Sequence, residues 1–341
     1  RQLQLGLPVI LTGSLEDLEE PLATQLIDAL MEIHREVGRL FLKDGDVPHA
    51  WMYLRNADAR AEVADALETA EPDEDNLDDW IAVAVREGVA PRRGFQVVLE
   101  QYGTCNAITM YDGESPNFTP DAKAEVAGLL IAQVHGELLS NLVSEIAREE
   151  SESPKETTIK ELLADREWLF DDDAYHIDTS HLSSVVRFSR FVTDPAALRA
   201  ALDLTEYGRR LNSQFQYDQE EPFADYYVDH GRFLAAQLGE SVEDHLKFFQ
   251  EKTVSVDAEQ VGCFTIEVYI LLLARLERFQ EAFEAHRDLI SQTAYTSGFA
   301  PSLIELAQSA GAYADLQEVC RDRGNRLGFV AGLVEQMQSP T

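Results

Sequence analysis

The segment 37–54 carries small, aromatic and apolar residues at intervals that predict two helices packed closely side by side. The positions that carry this pattern are Gly38, Phe41, Gly45, Val47, Ala50 and Leu54. Gly38 and Ala50 have almost no side chain, so they let two helix axes approach closely. Gly45 suits the turn between the helices, because glycine adopts backbone conformations that other residues avoid. We therefore expect a helical hairpin whose seam is filled by the three larger apolar side chains.

The last third of the chain repeats a helix–turn–helix alternation. First helices are predicted over 223–238, 258–276 and 302–310, each followed by a short turn and a second helix. Within the second helices, Val242, Phe279 and Tyr313 are expected at matching places, 37 and 34 residues apart. A period of this length is typical of helical repeat proteins, in which each hairpin buries its apolar face against the next.

These two regions resemble tetratricopeptide repeats (TPRs), a family built from hairpins of two antiparallel helices. The resemblance is good over 38–54, partial over 223–325 and absent from 70–220. Turn glycine and helix alanine are replaced in the C-terminal part, at Glu240, Glu277 and His245. The resemblance implies an all-α superhelix, a TPR-like array of helical hairpins with an irregular middle section. The alternative is an irregular helical bundle that contains a few such hairpins.

A polar stretch at 149–154 is the best internal boundary that the sequence offers. It divides the chain into an N-terminal helical region, 1–150, which contains the hairpin, and a C-terminal helical repeat region, 155–341. The least helical stretch is 102–120, for which we predict a small strand or an ordered loop that turns at Asp112 and Gly113.

The composition is strongly acidic, with 62 Asp and Glu against 28 Lys and Arg and a formal net charge of −34. A surface of this charge repels nucleic-acid phosphates and anionic membranes, and it attracts basic proteins or peptides and metal cations. The longest uninterrupted apolar run, 268–274, is too short to span a membrane. We therefore expect a protein or peptide partner of basic character, and neither nucleic acid nor membrane.

Cysteine usage favours a reducing compartment. Cys105, Cys263 and Cys320 are far apart and odd in number, and no Cys-x-x-Cys spacing occurs. We therefore expect a cytoplasmic protein without structural disulfides. The sequence opens at Arg1 rather than Met, which is compatible with the earlier removal of an N-terminal targeting segment.

The densest polar cluster lies in the region where the repeat pattern fails. The candidate ligand-binding residues are His176, Asp178, His181, Arg187 and Arg190. The first three precede a predicted helix, whose N-terminus can bind an anion, and the two arginines share one face of that helix. The cluster therefore predicts a metal or phosphate pocket. The alternative is structural: Asp178, Thr179 or Ser180 caps the helix and the histidines fill hydrogen-bond positions.

A second polar cluster consists of candidate metal ligands in the C-terminal repeats. Asp225 and Asp229 lie one helical turn apart, His230 neighbours them, and His245 lies on the next helix. Carboxylate and imidazole groups together can hold a divalent cation or serve as acid and base. The alternative is an acidic face in contact with water beside a packed histidine.

No catalytic or nucleotide-binding signature of high specificity occurs in the chain. The leading hypothesis is a protein- or peptide-binding helical scaffold that needs no cofactor. The rival is an enzyme or ligand-binding protein on a helical scaffold, using the cluster from His176 to His181, with a divalent metal as its cofactor. We expect a non-enzymatic role, and the sequence does not determine the oligomeric state.

Overall fold

A computed structural model describes residue 18 and residues 20–216, 221–254, 262–291 and 294–338. The all-α prediction is confirmed: in this part of the chain the regular structure is helical, without a β-strand, and consecutive helices pack against one another. The chain forms two compact units, 1–130 and 131–341. This division falls inside a long helix. The boundary at 149–154 stays a prediction.

The helices that begin in the N-terminal unit run from α1 to α6. They are α1 (Leu22–Lys43), α2 (Val47–Leu54), α3 (Arg60–Thr69), α4 (Leu77–Ile81), α5 (Pro91–Glu114) and α6 (Pro120–Glu150). A π-helical turn, Ala82–Arg86, continues α4. Pro91 and Pro120 each open a helix, where the missing N–H of proline costs no intrahelical hydrogen bond.

The first hairpin forms where the sequence predicts it. A three-residue turn joins α1 to α2, and Gly45 adopts a φ of +80° in it. Val47, Ala50 and Leu54 are almost fully buried. The Phe41 ring stacks on His49 and Tyr53, with centroids 5.5 and 5.7 Å away. The seam between the helices is therefore both apolar and aromatic.

The stretch 102–120 corrects the prediction of a strand or an ordered loop. Helix α5 continues through it to Glu114, and Ser115–Asn117 forms a 3₁₀ turn. Within α5 the irregularity is confined to Gly103, whose φ of +79° breaks the helical path. Buried Ala107, Ile108 and Tyr111 explain the helix, because they place one apolar stripe against the core.

The helices of the C-terminal unit follow α6. They are α7 (Ile159–Leu163), α8 (Thr179–Phe188), α9 (Pro195–Gly208), α10 (Tyr226–Gln237), α11 (Val242–Val254), α12 (Phe264–Arg275), α13 (Phe279–Leu289), α14 (Leu303–Ala310), α15 (Tyr313–Asp322) and α16 (Arg326–Gln338). Each neighbouring pair from α8 to α16 packs together. The start predicted for a helix at Ala258 lies outside the described residues.

The three second helices of the C-terminal repeats begin at the predicted matching residues. Helix α11 starts at Val242, α13 at Phe279 and α15 at Tyr313. The spacing of 37 and 34 residues therefore reflects three hairpins of nearly equal length.

In the described part of the chain, one turn geometry recurs at the ends of five helices. A residue in the left-handed conformation ends the helix, and the next N–H donates to the carbonyl oxygen five residues earlier over 2.8–2.9 Å. This is the Schellman motif, which satisfies carbonyl groups that the helix end leaves free. The left-handed residues are Gly45, Gly239, Glu277, Gly311 and Gly324. Gly239, not Glu240, therefore occupies the turn position of its hairpin, whereas Glu277 does replace glycine.

Helix α6 is, in the described part of the chain, the one helix long and apolar enough to cross a membrane. Its buried residues recur every three or four positions: Val126, Ala127, Leu130, Ile131, Val134, Leu138, Leu142 and Ile146. Core helices of soluble proteins have the same length and composition, so this is weak evidence for a membrane span. The expectation of no membrane contact stays a prediction.

An aromatic core holds the helices α10 to α13 together. Phe223 lies at its centre, with the ring centroids of Phe233 and Phe249 5.9 and 6.0 Å away, and all three side chains are fully buried. Large buried rings of this kind dominate the packing energy of a small core. Two arginines, Arg190 and Arg275, lie against the rings of this core.

Candidate functional site

A shallow polar groove runs along the C-terminal half of α6, beside residues 175–181. Two adjoining depressions of about 630 and 460 Å³ form it, and they share Glu137 and Asn141. Helix α6 contributes Ala132, Gln133, Gly136, Glu137, Ser140, Asn141, Ser144, Glu145 and Arg148. The opposite wall consists of Tyr175, His176, Ile177, Asp178 and His181. We call this feature the α6 groove.

The sequence positions α6 for this role because its two faces differ. The apolar stripe is buried, so the polar residues on the other side of the helix face the groove. Asn141 fixes the opposite wall, since its Nδ2 donates to the carbonyl oxygen of His176 over 2.7 Å. The groove therefore has one wall made by a regular helix and one made by a tethered loop.

His176 is held in a neutral state at the edge of the groove. Its backbone N–H donates to the hydroxyl oxygen of Tyr207 over 2.7 Å, and its Nδ1 lies 3.2 Å from the same oxygen. The hydroxyl hydrogen of Tyr207 can therefore bond to Nδ1. Burial lowers the pKa of His176, and it raises the pKa of Tyr207 to about 12. Both groups thus stay uncharged near neutral pH.

Asp178 is the N-cap of α8, one of the three capping residues that the structural alternative offers. Its Oδ1 accepts hydrogen bonds from the Ser180 N–H at 2.8 Å, the Ser180 hydroxyl at 2.6 Å and the His181 N–H at 3.3 Å. These bonds, chiefly the one from the hydroxyl, lower the pKa of Asp178. The carboxylate is therefore ionised, and it also lines the groove.

The groove carries more negative than positive charge. Three carboxylates line it, on Glu137, Glu145 and Asp178, against the single guanidinium of Arg148. That guanidinium forms a close ion pair with Glu145 and a second pair with Glu149 at 3.4 Å. Tyr175 is about half exposed, and its ring packs edge-on against Phe215 with the ring centroids 5.1 Å apart. Carboxylates and aromatic rings are both groups that attract Lys and Arg side chains.

The structure separates the five candidate ligand-binding residues into two places. His176, Asp178 and His181 meet in the groove, whereas Arg187 and Arg190 are not part of its lining. The guanidinium of Arg187 lies 5.0 Å from the Phe188 ring. Arg190 is buried, and its Nε donates to Nε2 of His230 over 2.9 Å. The second arginine thus joins a residue of the other predicted cluster.

The four candidate metal ligands have different surroundings. The Asp229 carboxylate accepts hydrogen bonds from the Asp225 N–H and from Nζ of Lys252, each at 3.1 Å, so a lysine already neutralises it. None of the described hydrogen bonds joins His245 to the other three residues. In the described part of the chain, no three or more His, Cys, Asp or Glu residues are grouped to hold a metal ion.

The sequence interpretation missed the groove residues on α6. Glu137, Asn141, Glu145 and Arg148 follow one another at intervals of four, four and three residues. That spacing places them on one face of a helix, opposite the apolar stripe. This spacing is visible in the sequence, but it does not indicate which loop packs beside the polar face of α6.

A larger cavity of about 840 Å³ lies in the C-terminal repeats, with residues of α12 to α16 in its walls. Its wall includes Gly298, whose loop is fixed by the buried carboxylate of Glu267. That carboxylate accepts four hydrogen bonds, from the Ser297 N–H and hydroxyl and from the Gly298 and Phe299 N–H groups, over 2.7–3.2 Å.

Cys320 also lines the cavity, and burial raises the pKa of its thiol. The thiol therefore stays protonated, which makes it a poor nucleophile.

Comparison of the chain with protein-family models, with curated proteins and with solved structures gives no match. The likeness to tetratricopeptide repeats therefore stays a prediction that rests on residues 38–54 and 223–325. The function must be argued from the sites themselves.

Proposed function

We propose that the protein is a non-enzymatic helical scaffold that binds a basic protein or peptide along the α6 groove. The observation that carries the proposal is the excess of carboxylates in an elongated groove, with Glu137, Glu145 and Asp178 against Arg148 alone. The net charge of −34 acts in the same direction over a longer range.

The dimensions of the groove favour a peptide over a compact small molecule. Its α6 wall runs from Ala132 to Arg148, which corresponds to roughly 24 Å at 1.5 Å per residue. An extended peptide of about seven residues has the same length. The two depressions are open and shallow, so the ligand would lie along the helix with one side toward water.

The chemistry of the walls suggests how the peptide is held. The carboxylates of Glu137 and Glu145 would receive Lys or Arg side chains, and the ring of Tyr175 would stack on a guanidinium or ammonium group. Neutral His176 and the Asn141 amide would leave this charge pattern unchanged. A localisation to the cytoplasm is part of the same proposal, since basic peptides and reduced cysteines are both compatible with it.

A direct test is fluorescence anisotropy with a labelled probe peptide of alternating Lys and Ala residues. A chain of this charge attracts any cationic peptide, so the test must locate the binding. The double variant Glu137→Gln/Glu145→Gln is compared with Glu240→Gln/Glu318→Gln, whose two acids are exposed and lie outside the groove. Both variants change the net charge by the same amount.

We expect the groove variant to bind the probe about threefold to tenfold more weakly than the control variant, given roughly 0.2–1 kcal/mol per exposed charge pair. Wild-type affinity should fall as salt rises, because exposed charges are screened. Equal affinities of the two variants would contradict the proposed location. A neutral peptide that bound as tightly as the basic one would contradict the proposed partner.

A further inference from the structure

Arg190 is a buried cation in the 3₁₀ turn that follows α8. Its residue surface is only 9% exposed. The guanidinium carbon lies 4.2 Å from the centre of the Phe223 ring and 5.6 Å from that of Phe264. Its Nε donates to Nε2 of His230 over 2.9 Å. Two aromatic rings and one imidazole thus fix the orientation of the guanidinium.

His230 does not neutralise the charge of Arg190. The Nδ1 of His230 lies 2.6 Å from the carbonyl oxygen of Tyr226, so the ring proton is on Nδ1 and Nε2 accepts. Burial, followed by the nearby Arg190 charge, lowers the pKa of His230 well below its usual value. The imidazole is therefore a neutral acceptor that orients the guanidinium.

No described carboxylate lies within ion-pairing distance of Arg190, although the chain holds 62 acidic residues. Arg275 lies beside it, with Nη2 donating to the Arg190 carbonyl oxygen over 2.7 Å and Nη1 to Oε1 of Gln237 over 2.9 Å. Burial lowers the pKa of both Arg190 and Arg275 to about 10. At Arg190 the nearby Tyr226 opposes this lowering, and the charge of Arg187 adds to it. A buried cation without a counter-ion is costly, and proteins normally place a carboxylate beside it.

Most donors of Arg190 have no partner among the described residues. A guanidinium has five N–H groups, and the one on Nε is bound to His230. Nη1 and Nη2 make no hydrogen bond to the described residues. They are not completely cut off from solvent either. Nη1 and Nη2 therefore keep donors that the described residues do not use, in a side chain that is almost fully buried.

From this geometry we propose that the Nη edge of Arg190 binds an oxyanion, the carboxylate or phosphate group of a small ligand. The fork formed by Nη1 and Nη2 matches two oxygens of such a group, and the fixed ring contacts prevent the guanidinium from turning away. The anion supplies the negative charge that the described residues around Arg190 lack. This site is independent of the α6 groove, and its failure or success leaves the peptide proposal unchanged.

The test uses inorganic phosphate and acetate as probes, at constant ionic strength maintained with chloride. Constant ionic strength is essential, because any salt stabilises a chain with a charge of −34. Thermal unfolding and titration calorimetry are measured for the wild type, Arg190→Lys and Arg278→Lys. Arg278 is the matched control, since its guanidinium is already paired with Glu243 and Glu281.

We expect at least one of the two probes to bind the wild type and Arg278→Lys with equal affinity. Arg190→Lys keeps the charge but loses the fork, so its affinity should be about 10- to 100-fold weaker. Equal affinity of all three proteins would overturn the proposal, and so would the absence of binding by both probes to the wild type.

A second measurement on the wild type alone covers the case in which Arg190→Lys does not fold. In the ¹⁵N–¹H spectrum, the buried Nε–H of Arg190 should exchange slowly with solvent and give a resolved signal. Titration with phosphate or acetate should move that signal in a saturable way. A signal that stayed in place with both probes would reject the site.

Discussion

Gly38 on α1 lies directly against Leu54 on α2, so closely that a Cβ atom added to the glycine would stand 2.4 Å from Cγ of the leucine. A larger side chain can occupy this position only if the Leu54 side chain or the hairpin itself moves. The presence of glycine at position 38 and leucine at position 54 thus reflects close contact between two helices, not a turn in the chain.

Replacing Gly38 by Ala should destabilise the N-terminal unit. Alanine favours a helix by about 1 kcal/mol over glycine, but the contact with Leu54 forces overpacking that costs about 1–3 kcal/mol. We expect a net loss of roughly 1 kcal/mol in the free energy of unfolding, measured by urea denaturation. Gly113→Ala is the control, because a Cβ there meets nothing within 4 Å. A Gly38→Ala variant stabilised as much as the control would contradict the close contact.

Glu277 is the non-glycine member of the five Schellman turns, and its φ is +59°. A left-handed conformation costs a residue with a Cβ about 1 kcal/mol relative to glycine. We therefore expect Glu277→Gly to raise the free energy of unfolding by about 0.5–1 kcal/mol, although glycine usually destabilises. The reverse change, Gly311→Glu, should lower it by a similar amount in the same denaturation experiment. If both changes were destabilising, the shared turn geometry would be wrong.

The helical hairpins could be predicted because their determinants are local. Gly45 supplies the turn, and the starts at Val242, Phe279 and Tyr313 follow from apolar spacing within each segment. The error at 102–120 also has a local cause. Gly103 breaks the helix at one residue, whereas the buried stripe through Ile108 and Tyr111 restores it beyond the break.

The candidate sites were less predictable because they depend on contacts between distant segments. His176 meets Asn141, 35 residues away, and Arg190 meets His230, 40 residues away. The sequence indicates which residues are polar, but not which element packs beside them. The sequence consequently places Arg190 and His230 in two different clusters, although they form one hydrogen bond.

Glu267 should be critical for the loop that borders the C-terminal cavity. In Glu267→Gln, the amide NH₂ can no longer accept, so at least two of the four donors from residues 297–299 lose their partner. A buried donor without a partner costs about 1–3 kcal/mol. We expect the free energy of unfolding to fall by about 1–3 kcal/mol and amide hydrogen exchange at Gly298 and Phe299 to become faster. The exposed Glu318→Gln should change the free energy of unfolding by less than about 0.5 kcal/mol, and an equally small effect at Glu267 would refute its role.

The burial of His230 should make stability depend on pH in a window below neutrality. The folded pKa is well below the usual value, whereas an unfolded histidine titrates near about 6.5. Above pH 7 the ring is neutral in both states and contributes no pH dependence. As the pH falls below about 6.5, the unfolded chain binds a proton that the folded protein does not, so the free energy of unfolding decreases. Between pH 7 and 5.5, proton binding to the unfolded chain lowers the free energy of unfolding by about 1 kcal/mol.

Other groups also titrate in this chain, so the informative quantity is a difference between two proteins. His230→Gln should be less stable than the wild type at pH 7, because the bonds to Arg190 and Tyr226 are altered. Its stability should nevertheless fall by about 1 kcal/mol less between pH 7 and 5.5, since the titrating group is gone. Urea denaturation at both pH values measures this, and the ring signals of His230 in the folded wild type should not titrate over the same range. Parallel pH profiles for the two proteins, together with a His230 ring that titrates in the folded state, would show that the imidazole does not act as the neutral acceptor of the Arg190 hydrogen bond.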